Sequence, residues 1–202
     1  MMFTLVVFGL LLQGLVVLAS YPVQSLRNAR CNGILPTPTY GVTGSLFTVC
    51  AEELIAAPVS RIYDTLIDFR NYHIWNSFVI DVKVPATVIN PSDVSVGMSM
   101  DFTTQGLLPL LNSTSTEIVT VLSPGTDFAV NAWRSDDKLN GMFMAAEHPN
   151  VLTDAGNGLT RYVSWETYYL PGGVLLLTLQ AQLKTQFIQQ GKDLKKYIEG
   201  LN

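Results

Sequence analysis

The chain has 202 residues, a net charge of −4 and a pI near 5.0, with 14% charged and 48% apolar residues. That length suits one ordinary domain. The acidic balance excludes a protein that must neutralise nucleic-acid phosphates, and the low charge content excludes a coiled coil or a disordered tail.

Met1 to Ala19 carries no charge. Its apolar run from Phe3 is short for a membrane span and right for the apolar region of a signal peptide. Val17-Leu18-Ala19 before Ser20 offers the small residues of a cleavage site, although Met1-Met2 lacks the usual positive charge. An uncleaved anchor is the alternative, because the first positive charges, Arg27 and Arg30, follow the run. Residues 1–19 are read as a signal peptide or signal anchor. The expected location is secreted or in the lumen of the secretory pathway, with membrane contact only through an uncleaved leader. Two features agree with that compartment. Cys31 and Cys50 are the two cysteines, and an even count permits one disulfide, with two buried free thiols as the alternative. Asn112-Ser113-Thr114 is a glycosylation sequon, read as part of a polar loop.

Residues 20–44 hold Pro22, Pro36, Pro38, Gly33 and Gly41 and read as an extended arm rather than an element. Ser45 to Ile55 is strand-like. Pro58 then suits the first position of a helix, and Val59, Ile62, Leu66 and Phe69 place apolar side chains on one face. A short second helical turn spans Arg70 to Trp75. Strands are expected at 78–84, 97–106, 115–122, 126–134, 141–148 and 159–170, separated by Pro, Gly, Asn and Asp clusters that favour turns. After Pro171-Gly172-Gly173 a long helix is expected to about Glu199, with Leu176, Leu179, Leu183, Phe187, Leu194 and Ile198 along one side.

Consecutive strands with short connections imply an antiparallel meander that must bury one face. The C-terminal helix is the element long enough to cover it. The expected architecture is α+β: a seven-stranded curved antiparallel sheet wrapped around a long C-terminal helix, with two short helices after the first strand, over 45–202. A curved sheet gripping one helix leaves a hollow, the natural place for a ligand.

Three stretches then resemble a known superfamily. They are Ile55 to Phe69 with Tyr72 and Trp75-Asn76-Ser77-Phe78; Gly158-Leu159-Thr160-Arg161-Tyr162 with Ser164-Trp165-Glu166-Thr167-Tyr168 and Pro171-Gly172; and Phe187 with Leu194 to Glu199. Their order and spacing resemble the SRPBCC (START-like, polyketide cyclase/dehydrase) superfamily, most nearly its small fungal members. The resemblance implies a helix-grip fold around a hydrophobic cavity that binds lipids, sterols, quinones, hormones or polyketides. It implies either cyclisation or dehydration of a polyketide-like molecule in specialised metabolism, or a non-catalytic carrier of a lipid or hydrophobic metabolite. The usual lack of a leader in that superfamily puts a cytosolic role in doubt here.

No metal-ligand spacing, phosphate loop or dinucleotide fingerprint is visible, so no metal or cofactor is expected. Any chemistry must use isolated polar groups in an apolar hollow. Glu147 and His148 stand next to each other and point to opposite faces of a regular strand, so one of them is expected inward as a general base. Arg134 is a candidate to neutralise an enolate. Trp75, Asn76 and Trp133 are candidate ligand contacts, Asn76 through its donor and acceptor. In the last strand the two alternating sets are both mixed. The set with Val163 and Trp165 is the favoured inward one, which makes Trp165 and Tyr169 ligand contacts; Tyr168 is an alternative proton donor. Asp101 alternates with Met100 and Phe102 and is expected to face solvent.

Overall fold

A computed structural model describes residues 20–135 and 145–200. Seven antiparallel strands form one sheet: β1 (Ser45–Ile55), β2 (Val79–Lys83), β3 (Ser99–Leu108), β4 (Leu111–Ser123), β5 (Phe128–Ser135), β6 (Ala146–Gly156) and β7 (Leu159–Tyr169). Their spatial order is β1-β7-β6-β5-β4-β3-β2, so β2 to β7 run as a meander and β1 closes against the last strand. Helices α1 (Val59–Ile67) and α2 (Tyr72–Trp75) follow β1, and α3 (Gln180–Gly200) ends the described chain. This is the expected helix grip.

Local physics accounts for most of these elements. Pro58 stands just outside α1 as its N-cap, one position earlier than expected, with an extended backbone that cannot continue the helix backwards. Val59, Ile62, Tyr63 and Leu66 are the buried side of α1. In α3 the buried side chains Leu183, Phe187, Leu194 and Ile198 follow the predicted apolar stripe. The segment Gly172–Leu179, expected as the beginning of that helix, is a 3₁₀ stretch instead. Its run Val174-Leu175-Leu176-Leu177 is apolar all round and has no single face to bury.

The helix grips the sheet closely at Gly191. A Cβ there would sit 3.2 Å from the Glu53 side chain and 3.6 Å from Ala51 on β1. On the far side, Gly106 takes a left-handed φ of 83° and lies under the Gln186 side chain. These two close approaches set α3 across the concave face.

Two predictions about strands are corrected. The sixth strand runs 146–156 rather than 141–148, so Asp154, read as part of a turn, pairs with Thr160 inside the sheet. The tight Asn157-Gly158 reversal, with both residues at positive φ, makes the turn alone. Residues 141–144 and the expected Asp136-Asp137-Lys138 turn lie outside the described residues. Asn112 sits exposed in β4, just past the β3–β4 turn, rather than in a loop.

The sheet has a second buried face. The arm contains a short 3₁₀ turn at Val23–Asn28, and it packs Leu26 and Leu35 against Phe128, Val130, Val151, Val163 and Trp165 on the convex side. Cys31 and Cys50 are joined with their Cα atoms 5.5 Å apart, which fixes the arm to β1. Trp165 Nε1 donates to the Pro36 carbonyl at 3.2 Å, and Thr167 Oγ1 donates to the Leu35 carbonyl at 2.8 Å. Arg161 pairs with Glu52 at 2.6 Å and also donates to the Ala29 carbonyl.

Candidate functional site

Between the concave face and α3 lies a cavity of about 270 Å³. Phe78, Phe102, Trp133, Leu183 and Phe187 form apolar walls, and Glu117, His148, Glu166, Tyr168 and Gln190 bring polar groups to it. A larger groove of about 740 Å³ lies outside, between the β3–β4 turn and the start of α3, but it is open to solvent and lined by Gln105, Asn112, Gln182 and Gln186 among others. Of the two, the cavity under α3 is the better candidate, because its apolar walls surround ionisable groups.

Strand alternation decides which side chains reach it. On β7, Tyr162, Ser164, Glu166 and Tyr168 face α3, whereas Val163, Trp165, Thr167 and Tyr169 lie under the arm. This reverses the inward set expected from the sequence. Trp165 and Tyr169 therefore do not line the cavity. Trp165 is in the convex core, and the Tyr169 hydroxyl bonds Thr37 Oγ1 and the Gly41 carbonyl, each at 2.7 Å. The apolar appearance of that set comes from the arm, which gives the convex face a core of its own.

On β6 the strand continues through Pro149, and Glu147 and His148 point to opposite faces. Glu147 goes to the convex side. There its carboxylate accepts from the Thr39 backbone N–H at 2.7 Å, Thr39 Oγ1 at 2.9 Å and Thr120 Oγ1 at 2.7 Å. Arg134, its neighbour on β5, donates to the Tyr40 hydroxyl at 3.1 Å on the same side. The structure thus separates Glu147 and Arg134 from the hollow they were expected to serve. Trp75 is buried against Tyr72, and Asn76 Oδ1 accepts from the Phe78 and Val79 backbone N–H groups at 2.9 and 2.8 Å, capping the entry to β2. Neither lines the cavity. Asp101 is exposed, as its alternation required, and accepts from Thr116 Oγ1 at 2.7 Å.

His148 and Trp133 are the two predicted residues that the fold brings together in the cavity. Their rings lie 4.5 Å apart, and the imidazole is also 4.7 Å from Phe187. Burial among these rings pushes His148 down to about 3, against a small opposing effect of the Asn150 side chain. The imidazole is therefore neutral, and its Nε2 shares a 2.7 Å hydrogen bond with Ser164 Oγ.

Glu166 also has an unusual acidity. Burial raises its carboxyl to about 7, partly offset by the hydrogen bond it accepts from the Tyr168 hydroxyl at 2.5 Å. The side chain is half-buried and lines the cavity. Burial and the neighbouring Glu166 charge in turn hold Tyr168 well above its ordinary value. A carboxyl poised near neutrality beside a phenol can take up or release a proton inside an apolar cavity.

Deeper along α3, Gln190 is 1% exposed and lines the cavity. Tyr162 donates to Asn150 Oδ1 at 2.7 Å just beyond it. Sequence reasoning overlooked Gln190. The available signal was its position in the apolar stripe, three residues after Phe187 and four before Leu194, where a polar residue breaks the pattern.

No protein-family model and no curated protein matches the sequence. Solved structures do match in fold. One is a START superfamily protein from Mycobacterium smegmatis, with a TM-score of 0.53 and 15% identity, covering 77% of this chain and 99% of that one. The ZhuI aromatase/cyclase from Streptomyces sp. R1128 matches with a TM-score of 0.58 and 13% identity, over 75% and 93% of the two chains. Human STARD10 matches with a TM-score of 0.56 and 16% identity, over 88% and 78%. The fold is the START-like (SRPBCC) helix grip that the sequence motifs resemble.

Proposed function

We propose that this protein binds a compact hydrophobic molecule of polyketide type in the cavity under α3 and promotes its cyclisation or dehydration. The observation that carries this reading is Glu166, a carboxyl held at about 7 in a cavity walled by Phe102, Trp133 and Phe187 and bonded by Tyr168. As a carboxylate, Glu166 removes a proton from a methylene flanked by carbonyls. The resulting enolate carbon attacks another carbonyl of the same chain, and the alkoxide formed takes the proton back from the Glu166 carboxyl. Dehydration repeats the cycle: a second α-proton leaves to the carboxylate, and the hydroxyl departs as water with a proton from the carboxyl. Confinement against Phe102, Trp133 and Phe187 selects the folded conformer in which the two carbons meet. A structural neighbour, the ZhuI protein, is an aromatase/cyclase, which supports this reading.

The test is metabolite profiling of a deletion strain complemented with the wild-type gene or with Glu166→Gln. An uncyclised precursor that accumulates in the deletion and in the Glu166→Gln strain supports the proposal. Profiles that do not differ overturn it.

A second reading, a non-catalytic carrier, has its own supporting observation. The β3–β4 turn and the 3₁₀ stretch before α3 both reach the cavity through Leu107, Leu108, Leu176 and Leu179. The same two segments expose Leu110, Leu111, Val174 and Leu175. Such a surface suits exchange of a guest with an apolar phase. Mass spectrometry of purified protein that retains an unmodified lipid, with Glu166→Gln retaining it equally, would favour the carrier.

The secretory pathway remains our proposed location. The Cys31–Cys50 bond belongs to an oxidising compartment, and Asn112 is exposed. A mass shift on endoglycosidase treatment that is absent in Asn112→Gln tests it; protein recovered unglycosylated with reduced cysteines contradicts it.

A further inference from the structure

We infer that Gln190 is the specificity residue of the cavity, and that it selects an uncharged ring compound carrying a hydrogen-bond donor and acceptor side by side, as in an enolised β-dicarbonyl or an amide. This rests on the small-molecule reading above and goes further by naming the group recognised.

Gln190 lies on the buried side of α3, one turn from Phe187, and lines the cavity. Its Nε2 and Oε1 both lack a hydrogen-bond partner among the described residues, although the side chain is 1% exposed. The amide lies near enough to Tyr162 to oppose the rise that burial gives that phenol, but among the described residues neither amide atom meets hydrogen-bond geometry with it. A primary amide offers one acceptor and two donors. Leaving both ends unpaired in an apolar interior is costly, whereas an apolar side chain of the same size would carry no such penalty. A glutamine at this position is explained by a guest that satisfies both atoms together. An enol O–H donating to Oε1 with the adjacent carbonyl accepting from Nε2 does so.

The surroundings argue that the guest is uncharged. Among the described residues lining the cavity there is no lysine or arginine, and two carboxyl groups, Glu117 and Glu166, are present. His148 supplies no positive charge, because its apolar neighbours keep the ring neutral. An anionic guest would enter without a counter-charge.

The experiment measures binding of naphthalene, 2-naphthamide and 2-naphthoate at pH 8 to the full chain and to Gln190→Leu and Gln190→Met, by intrinsic tryptophan fluorescence. The wild type is expected to bind 2-naphthamide about tenfold more tightly than naphthalene, in line with two added neutral hydrogen bonds, and to bind 2-naphthoate more weakly than the amide. Both variants are expected to lose the tenfold preference, keep their affinity for naphthalene and melt no lower than the wild type. The proposal is overturned if amide and hydrocarbon bind the wild type equally, if the preference survives in the variants, or if the carboxylate binds as well as the amide. Marked destabilisation of both variants also overturns it, because Gln190 then has a structural partner. If none of the three probes binds the wild type, the small-molecule reading of the cavity fails, and this inference fails with it.

Discussion

Tyr168 and Glu166 stand two positions apart on β7, on the same face of the strand, and the phenol donates to the carboxyl at 2.5 Å inside the cavity. The bond ties the acidity of one to the presence of the other. Replacing Tyr168 by Phe removes the hydrogen bond that opposes the effect of burial on Glu166, so its carboxyl moves further up. The activity of Tyr168→Phe on a cyclisable substrate is expected to keep its shape with pH and move its rising limb to higher pH. A limb that stays in place refutes the coupling.

Stability should depend on pH through the same carboxyl. Its ordinary value is 4.5 and its value in the fold is about 7, so the folded state holds the proton more tightly. The stabilisation is complete below about 4.5 and disappears as pH rises through 7. His148 acts in the opposite direction. Its ordinary value is 6.5 and its folded value about 3, so its contribution is present above 6.5 and is lost as pH falls. Glu166→Gln is expected to match the wild type near pH 4 and to exceed it at pH 8 by on the order of 2 kcal/mol. His148→Gln is expected to flatten the acid side. Urea unfolding across that range checks both.

Glu147 is predicted to hold the arm rather than a substrate. Its carboxylate accepts three hydrogen bonds, two of them from Thr39. Glu147→Gln presents an N–H₂ group to donors and should cost about 2–3 kcal/mol of stability. Binding of 2-naphthamide is expected to remain at the wild-type level. A variant of native stability with lost activity would instead return Glu147 to the catalytic role expected from its neighbour His148.

The disulfide should matter for the same arm. Cys31 and Cys50 are 19 residues apart, and a loop of that size stabilises by about 3 kcal/mol when closed. The Cys31→Ser, Cys50→Ser double variant is expected to melt at lower temperature while the cavity keeps its probe affinity, because the bond joins the convex side. Proteolysis is expected to cut first within residues 20–44.

How far the chain could be read without coordinates follows from where each signal lives. Strand and helix periodicity are local, so β1, α1, the meander and the buried stripe of α3 were legible in residue spacing. The helix grip followed because a sheet with an apolar face needs one long partner. The solvent side of Asp101 was legible for the same reason, since alternation with Met100 and Phe102 needs no knowledge of the rest of the chain. Where both faces of a strand are buried, alternation loses its meaning. Val163, Trp165, Thr167 and Tyr169 look like an inward set, and only the packing of Leu26 and Leu35 turns them outward. That choice sends Glu166 and Tyr168 to the cavity and, across β6, sends His148 in and Glu147 out. The sequence thus determined the kinds of element and their order, though not the bounds of β6 or the start of α3, because periodicity depends on neighbours a few residues away. The tertiary structure alone decided which carboxylate lines the cavity, because that depends on an arm packed against strands about a hundred residues later.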